Sequence, residues 1–211
     1  MAGTPAQRRC PGLRQPFKDT GCLSDALGMD HHDVSGFRRL LKALRLDDAS
    51  AEFAAALGSG SESPDSLLVV GTPECEPWHF VAHLAEEARS TGRPDLVPTW
   101  VRWAPPAGAR GHLAVAIDRL GAVRRGDTVL VVTPNSAGER LLDRVDDARR
   151  RGGRVMTLHR EDHDLSELSH ETLVVPVTAP TSTFDVVQHV VTSTASGQAV
   201  RLRHRVLRRS A

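Results

Sequence analysis

Gly126-Asp127-Thr128-Val129-Leu130-Val131-Val132-Thr133-Pro134-Asn135-Ser136-Ala137-Gly138-Glu139 is the stretch on which the fold turns. It reads as a strand buried on both faces, 128–132, running into a short turn rich in hydroxyl and amide groups. A helix follows over 141–150, then Gly152-Gly153, then a second apolar strand over 154–158. Strand, small polar turn, helix and strand form the unit that aims backbone N–H groups at an anion. Thr133, Asn135 and Ser136 add side-chain donors, and Gly138 lets the backbone approach a ligand closely. A phosphate is the expected occupant. The same residues also read as an ordinary strand-to-helix loop with a capping serine.

The pattern repeats on both sides of this unit. Leu67-Leu68-Val69-Val70 is a second all-apolar run, and 97–103 and 173–177 are two more. Helical spacing marks 78–89, 113–120, 164–169 and 182–195 between and after them. A capped helix over 47–57 precedes the first strand, and a Gly/Ser/Pro segment over 58–66 ends it. Five strands alternating with helices predict an α/β class: a five-stranded, parallel, doubly wound, Rossmann-like sheet. Ligands in such sheets sit at the carboxyl ends of the strands. The loops there are 72–77, 104–110, 133–139 and 178–183, so Thr72 and Thr181 join the candidate ligand contacts.

Outside this core the chain divides simply. Residues 1–29 lack periodicity and read as a disordered leader. The domain spans 30–198 and includes an N-terminal helical arm over 33–57, with Phe37, Leu40, Leu41, Leu44 and Leu46 on one helix face. Asp30-His31-His32-Asp33 reads as a polar helix entrance, because no partner ligands sit at helical spacing. Residues 199–211 form a short basic tail, expected to be solvated.

Bulk composition excludes several classes. The net charge of +1 and the absence of Tyr argue against a nucleic-acid surface. Three cysteines without metal or disulfide spacing make neither framework. With no apolar leader or long apolar run, the expectation is a cytoplasmic protein without membrane contact. Gly-x-Gly-x-x-Gly and the P-loop signature are both missing, so dinucleotide binding is rejected.

Two histidine constellations carry chemistry. His79 and His83 lie four apart on one helix face, directly after the first strand's loop. That spacing can chelate a metal or present an acid–base pair. It also fits two partly exposed surface histidines. Asp185, Gln188 and His189 lie in the last helix and could complete such a site if its N-terminal end faces the same cleft; they also read as the half-polar face of a helix whose apolar stripe is Val186, Val187, Val190 and Val191. The charged run His159-Arg160-Glu161-Asp162-His163-Asp164 reads as a solvated cluster.

In their order, three of these segments resemble the sugar isomerase (SIS) domain family, over about 33–195. Trp78-His79-Phe80-Val81-Ala82-His83-Leu84 is similar to the Gln-His-Phe-Ala-Ala-Glu-Leu helix of its phosphoheptose isomerase branch, which includes relatives that bind the replication initiator. The unit 126–155 resembles the family's central strand–turn–helix–strand. Leu165 to Pro176 resembles its last loop-helix and strand. The departures are equally specific. Thr133-Pro134-Asn135-Ser136-Ala137-Gly138 stands where the family has Ser-Thr-Ser-Gly-Asn-Ser, and His83 stands where it has glutamate. The loop Gly71 to Pro77 carries Glu74 and Glu76 in place of a glycine-rich, phosphate-friendly sequence.

The resemblance implies a sugar-phosphate ligand, aldose–ketose isomerisation if the site is active, and a homodimer or homotetramer. Under it, His83 and His189 are the candidate catalytic groups. Thr133, Asn135, Ser136, Gly138, Thr72 and Thr181 are the candidate substrate contacts, and His79, His83 and Asp185 the candidate metal ligands. No cofactor is fixed; if a metal is held, the expected ion is zinc. The alternative is a non-catalytic oligomer that senses a phosphosugar or binds a protein partner.

Overall fold

The computed structural model describes residues 39, 41–60 and 63–197. The expected leader, most of the first arm helix, the Asp30–Asp33 entrance and the basic tail lie outside the described residues. Within the described chain the element order is α1 (Asp47–Gly60), β1 (Leu67–Val70), α2 (Trp78–Thr91), β2 (Thr99–Trp100), β3 (Thr128–Thr133), α3 (Glu139–Arg150), β4 (Arg154–His159), α4 (His163–Leu168), β5 (Glu171–Val174) and α5 (Ser182–Ala195).

The five strands form one parallel sheet in the order β2-β1-β3-β4-β5. The expected α/β sheet is therefore present. β1, β3 and β4 are the central strands, and every residue of β1 and β3 is buried. Such strands need apolar side chains on both faces, as in Leu67-Leu68-Val69-Val70 and the valine-rich β3. One face carries Leu67, Val69, Leu130, Val132, Met156 and Leu158 into a core shared with α1, α2 and α5. The other carries Leu68, Val70, Val129, Val131 and Val155 against Leu141, Val145 and Ala148 of α3 and Leu165 of α4. Alternation along each strand thus divides the core into two layers.

This strand order reverses direction between β1 and β3. In open α/β sheets that reversal leaves a crevice beyond the carboxyl ends of the two strands. The loops after β1 and β3 are the ones that bear Thr72–Pro77 and Thr133–Glu139. Gly71 pins the first of them. A Cβ at Gly71 would collide with the Cys75 carbonyl, and would lie 2.7 Å from the Pro77 ring and 3.0 Å from the Val132 carbonyl. Only a residue without Cβ lets this loop fold back against β3.

Three boundaries differ from expectation for local reasons. Residues 113–120 do not make an α-helix; short 3-10 turns occupy Gly111–Leu113 and Ile117–Ala122. Between them Ala116 pairs in parallel with Arg102, and Arg102 N–H donates to the Val115 carbonyl at 2.9 Å. Sheet-edge pairing has taken the β-branched Val115 out of the helix. The second strand shrinks to two ladder residues. The last strand starts earlier, at Glu171, and its ladder stops near Pro176, which has no N–H to donate.

Gly58 does not end its helix, which runs on to Gly60. A Cβ there would lie 2.9 Å from the Ala195 carbonyl, so this glycine serves close packing of α1 on α5. Among the described residues no helix is long and apolar enough to cross a membrane.

Candidate functional site

α2 starts directly after the β1 loop, and α5 directly after the β5 loop. The two helices pack together on one face of the sheet. Phe80, Leu84 and Ala88 turn α2 inward, and Phe184, Val187 and Val191 do the same for α5. Between these stripes, the N-terminal half of α2 faces the middle of α5. His79 and His83 come from α2 and His189 from α5.

The three imidazoles form one cluster, with a candidate ligand atom from each lying within 4.8 Å of the others. The Nε2 atoms of His79 and His83 are 3.0 Å apart, so one nitrogen donates and the other accepts. Ring centroids lie 5.0 Å apart for His79 and His189, and 4.3 Å for His83 and His189. His79 and His83 are half-buried and His189 is exposed, leaving the cluster open on one side. Burial holds the His83 imidazole below its ordinary value, and the neighbouring His79 acts in the same direction. A neutral imidazole is the form that accepts a proton or binds a metal.

Asp185 sits one turn before His189 but is not one of the three clustered groups. Its carboxylate accepts from the Gln188 amide at 3.1 Å. Burial raises its pKa, while the charge of His79 and the Gln188 bond pull it back. Cys75 comes close enough for the Asp185 and Glu74 charges to add to burial in raising its thiol. The β1 loop therefore reaches the first turn of α5 on one side and the end of β3 on the other. Of the expected ligand trio His79, His83 and Asp185, the first two meet His189.

The turn after β3 is built differently from an open phosphate seat. Thr133 is buried; its hydroxyl accepts from Asn135 N–H at 3.0 Å and lies 3.0 Å from the Asn135 carbonyl, to which it donates. Ala137 N–H donates to the Asp162 carboxylate at 2.6 Å, and Ser136 Oγ lies 3.3 Å from the same oxygen. Asn135, Ser136 and Gly138 face solvent. Gly138, not Ser136, is the N-cap of α3, with no side-chain cap bond. Arg140, in the first turn of α3, places its guanidinium 5.4 Å from the Trp103 ring centroid. Thr72 is buried, and its hydroxyl accepts from Cys75 N–H within its own loop. Thr181 is exposed at the start of α5.

Two sequence readings are corrected here. The run 159–164 is not simply a solvated cluster: His159 and Asp162 are buried. Asp162 is the N-cap of α4, accepting Leu165 N–H at 3.0 Å. His159 Nδ1 accepts Asp162 N–H at 3.0 Å, and its Nε2 lies 3.1 Å from Ser166 Oγ. An aspartate three residues before the apolar Leu165 was the available signal. Glu76, in turn, is not an acid open to a ligand. It accepts from Arg102 at 3.1 and 3.2 Å and from Trp103 N–H at 3.0 Å. Of the two acids in that loop, Glu74 alone is exposed.

No protein-family model matches the sequence, and no curated protein matches it. Solved structures do. The fold is shared with the Vibrio vulnificus NanR protein complexed with ManNAc-6P, at TM-score 0.52 and 16% identity; the alignment covers 86% of this chain and 63% of NanR. The sugar isomerase domain of an RpiR transcription factor from Sphaerobacter thermophilus aligns at TM-score 0.51 and 16% identity, over 82% of this chain and 90% of that one. The E. coli CFT073 protein c3406 in complex with A5P gives 0.51 and 18%, over 83% and 92%. At these identities the likeness is one of fold: a sugar isomerase-like α/β domain. It does not single out the phosphoheptose isomerase branch.

Proposed function

We propose that this chain binds a sugar phosphate in the crevice between the β1 and β3 loops, with the sugar's carbonyl end directed at His79, His83 and His189. The observation that carries the reading is the convergence of three imidazoles from two helices beside that crevice. Their ligand atoms lie within 4.8 Å of one another, a set that could hold a metal ion. Protonated, they would repel one another. The phosphate end is assigned to Asn135, Ser136 and Gly138, with Arg140 as the nearby cation. NanR and c3406, which share the fold, are described as complexes with ManNAc-6P and A5P.

The donor set also fits zinc. Three neutral imidazole nitrogens plus one open position form a common catalytic zinc environment. His79, His83 and His189 would hold the ion, and it would polarise a carbonyl or hydroxyl oxygen of the ligand. The protein's own part would be to keep His83 neutral by burial and to orient the ligand. A histidine that ligates zinc has no lone pair left for proton transfer, so only in a metal-free isomerisation would His83 or His189 take the proton beside the carbonyl and return it to the neighbouring carbon.

Calorimetric titration with a panel of aldose and ketose phosphates, with and without zinc, tests the binding. Solvent-deuterium incorporation into the bound sugar tests the proton transfer. Binding without deuterium incorporation would select the second reading, a non-catalytic phosphosugar sensor. The observation favouring that reading is that Ser136 and Ala137 already meet an internal carboxylate. No binding by any member of the panel would end both. A homo-oligomeric assembly belongs to this proposal too, and size-exclusion chromatography with light scattering measures it.

A further inference from the structure

Asp162 is a buried carboxylate that ties the turn after β3 to the start of α4. Oδ2 takes the Ala137 N–H at 2.6 Å and lies 3.3 Å from Ser136 Oγ, while Oδ1 takes the Leu165 N–H at 3.0 Å. These donors are all neutral; the compensation for burying a charge comes from N–H and O–H dipoles at the start of α3 and α4. The residue is held from behind as well. Its own N–H donates to His159 Nδ1, and its carbonyl accepts from Ser166 Oγ at 2.9 Å. This is a fixed anion, positioned by a buried histidine and a serine, in the seat beneath the exposed turn.

We propose that Asp162 is a built-in competitor for the ligand's phosphate, occupying the donors of Ser136 and Ala137 until a ligand displaces it. The inference rests on the sugar-phosphate reading above and adds the regulation of that site. A phosphate that took the Ala137 N–H would stand beside a carboxylate unless Asp162 moved. Two anions cannot share one set of donors at hydrogen-bond distance without a large electrostatic penalty. Displacement also costs the Leu165 cap, so engagement of the turn and integrity of α4 are coupled. The site consequently answers only to a ligand whose other contacts, at the histidine end, supply the binding needed to move Asp162. Free phosphate is rejected.

The test uses the full chain and inorganic phosphate, titrated by calorimetry. D162N removes the charge and keeps an oxygen able to cap α4, and its circular dichroism and melting curve establish that it folds. Expected is a phosphate affinity raised about tenfold or more over wild type, as for loss of one charge-assisted contact to a competing anion. S136A in the D162N background should cancel most of that gain. A folded D162N that binds phosphate no better than wild type overturns the inference. If the sugar-phosphate panel still binds in that case, the inference falls alone. If neither wild type nor D162N binds any sugar phosphate, the reading falls and the inference with it.

Discussion

Alanine at Gly71 would put a methyl group into the Cys75 carbonyl, 2.7 Å from the Pro77 ring and 3.0 Å from the Val132 carbonyl. None of these neighbours is the free end of a flexible side chain. The Cys75 peptide is held by its own N–H, which donates to both the carbonyl and the hydroxyl of Thr72 at 3.2 Å. The loop must therefore open away from β3, losing that turn and the indole bond from Trp103 to the Gly71 carbonyl at 2.8 Å. Overpacking of this kind costs typically about 1–3 kcal/mol, and the loss of a neighbouring hydrogen bond adds about 1 kcal/mol. For a domain of this size, a total near 3 kcal/mol lowers the melting temperature by roughly 6–12 °C. Scanning fluorimetry of G71A against wild type measures it, with urea denaturation to supply the free energy. Because α2 begins seven residues later, the same change should weaken any ligand that needs His79 and His83 aligned. A melting temperature within about 1 °C of wild type would refute the claim that this loop is sterically locked.

Glu76→Gln should destabilise the fold by about 1–3 kcal/mol, since it leaves the Arg102 guanidinium, only 19% exposed, without its carboxylate; urea denaturation checks this, and a cycle with Arg102→Gln should recover part of the loss. Burial holds the His159 imidazole below its usual range, with Asp162 partly opposing it. The unfolded chain therefore takes up this proton first, and stability should fall as pH drops below about 6.5 and level off once the folded histidine protonates as well. His159→Asn should flatten that slope, as read from melts between pH 5 and 8; an unchanged slope would place the sensitivity elsewhere.

The sheet was legible because its determinants are local. β1 and the centre of β3 are apolar runs that only a doubly covered strand can use, and α5 keeps an inward stripe of Phe184, Val187 and Val191. The helix expected at 113–120 failed because its periodicity competed with an edge pairing to Arg102, which local spacing does not encode. At the site, the histidine pair followed from helix geometry alone. Whether Asp185 or His189 would join it depended on how α5 crosses α2, a tertiary fact. Asp162 was missed for a related reason. Its run of charges resembles a solvated loop, and only the close approach of α4 to the β3 turn turns one of those charges inward.

A sugar phosphate held in the crevice as proposed has its carbonyl end at the three histidines. The most direct measurement of this placement is calorimetric titration of zinc-loaded wild type, H83A and H189A with the panel of sugar phosphates. Expected is saturable binding of at least one sugar phosphate to wild type, with affinity reduced about tenfold or more in both variants. Equal affinity in all three proteins, or no binding to any, would contradict it.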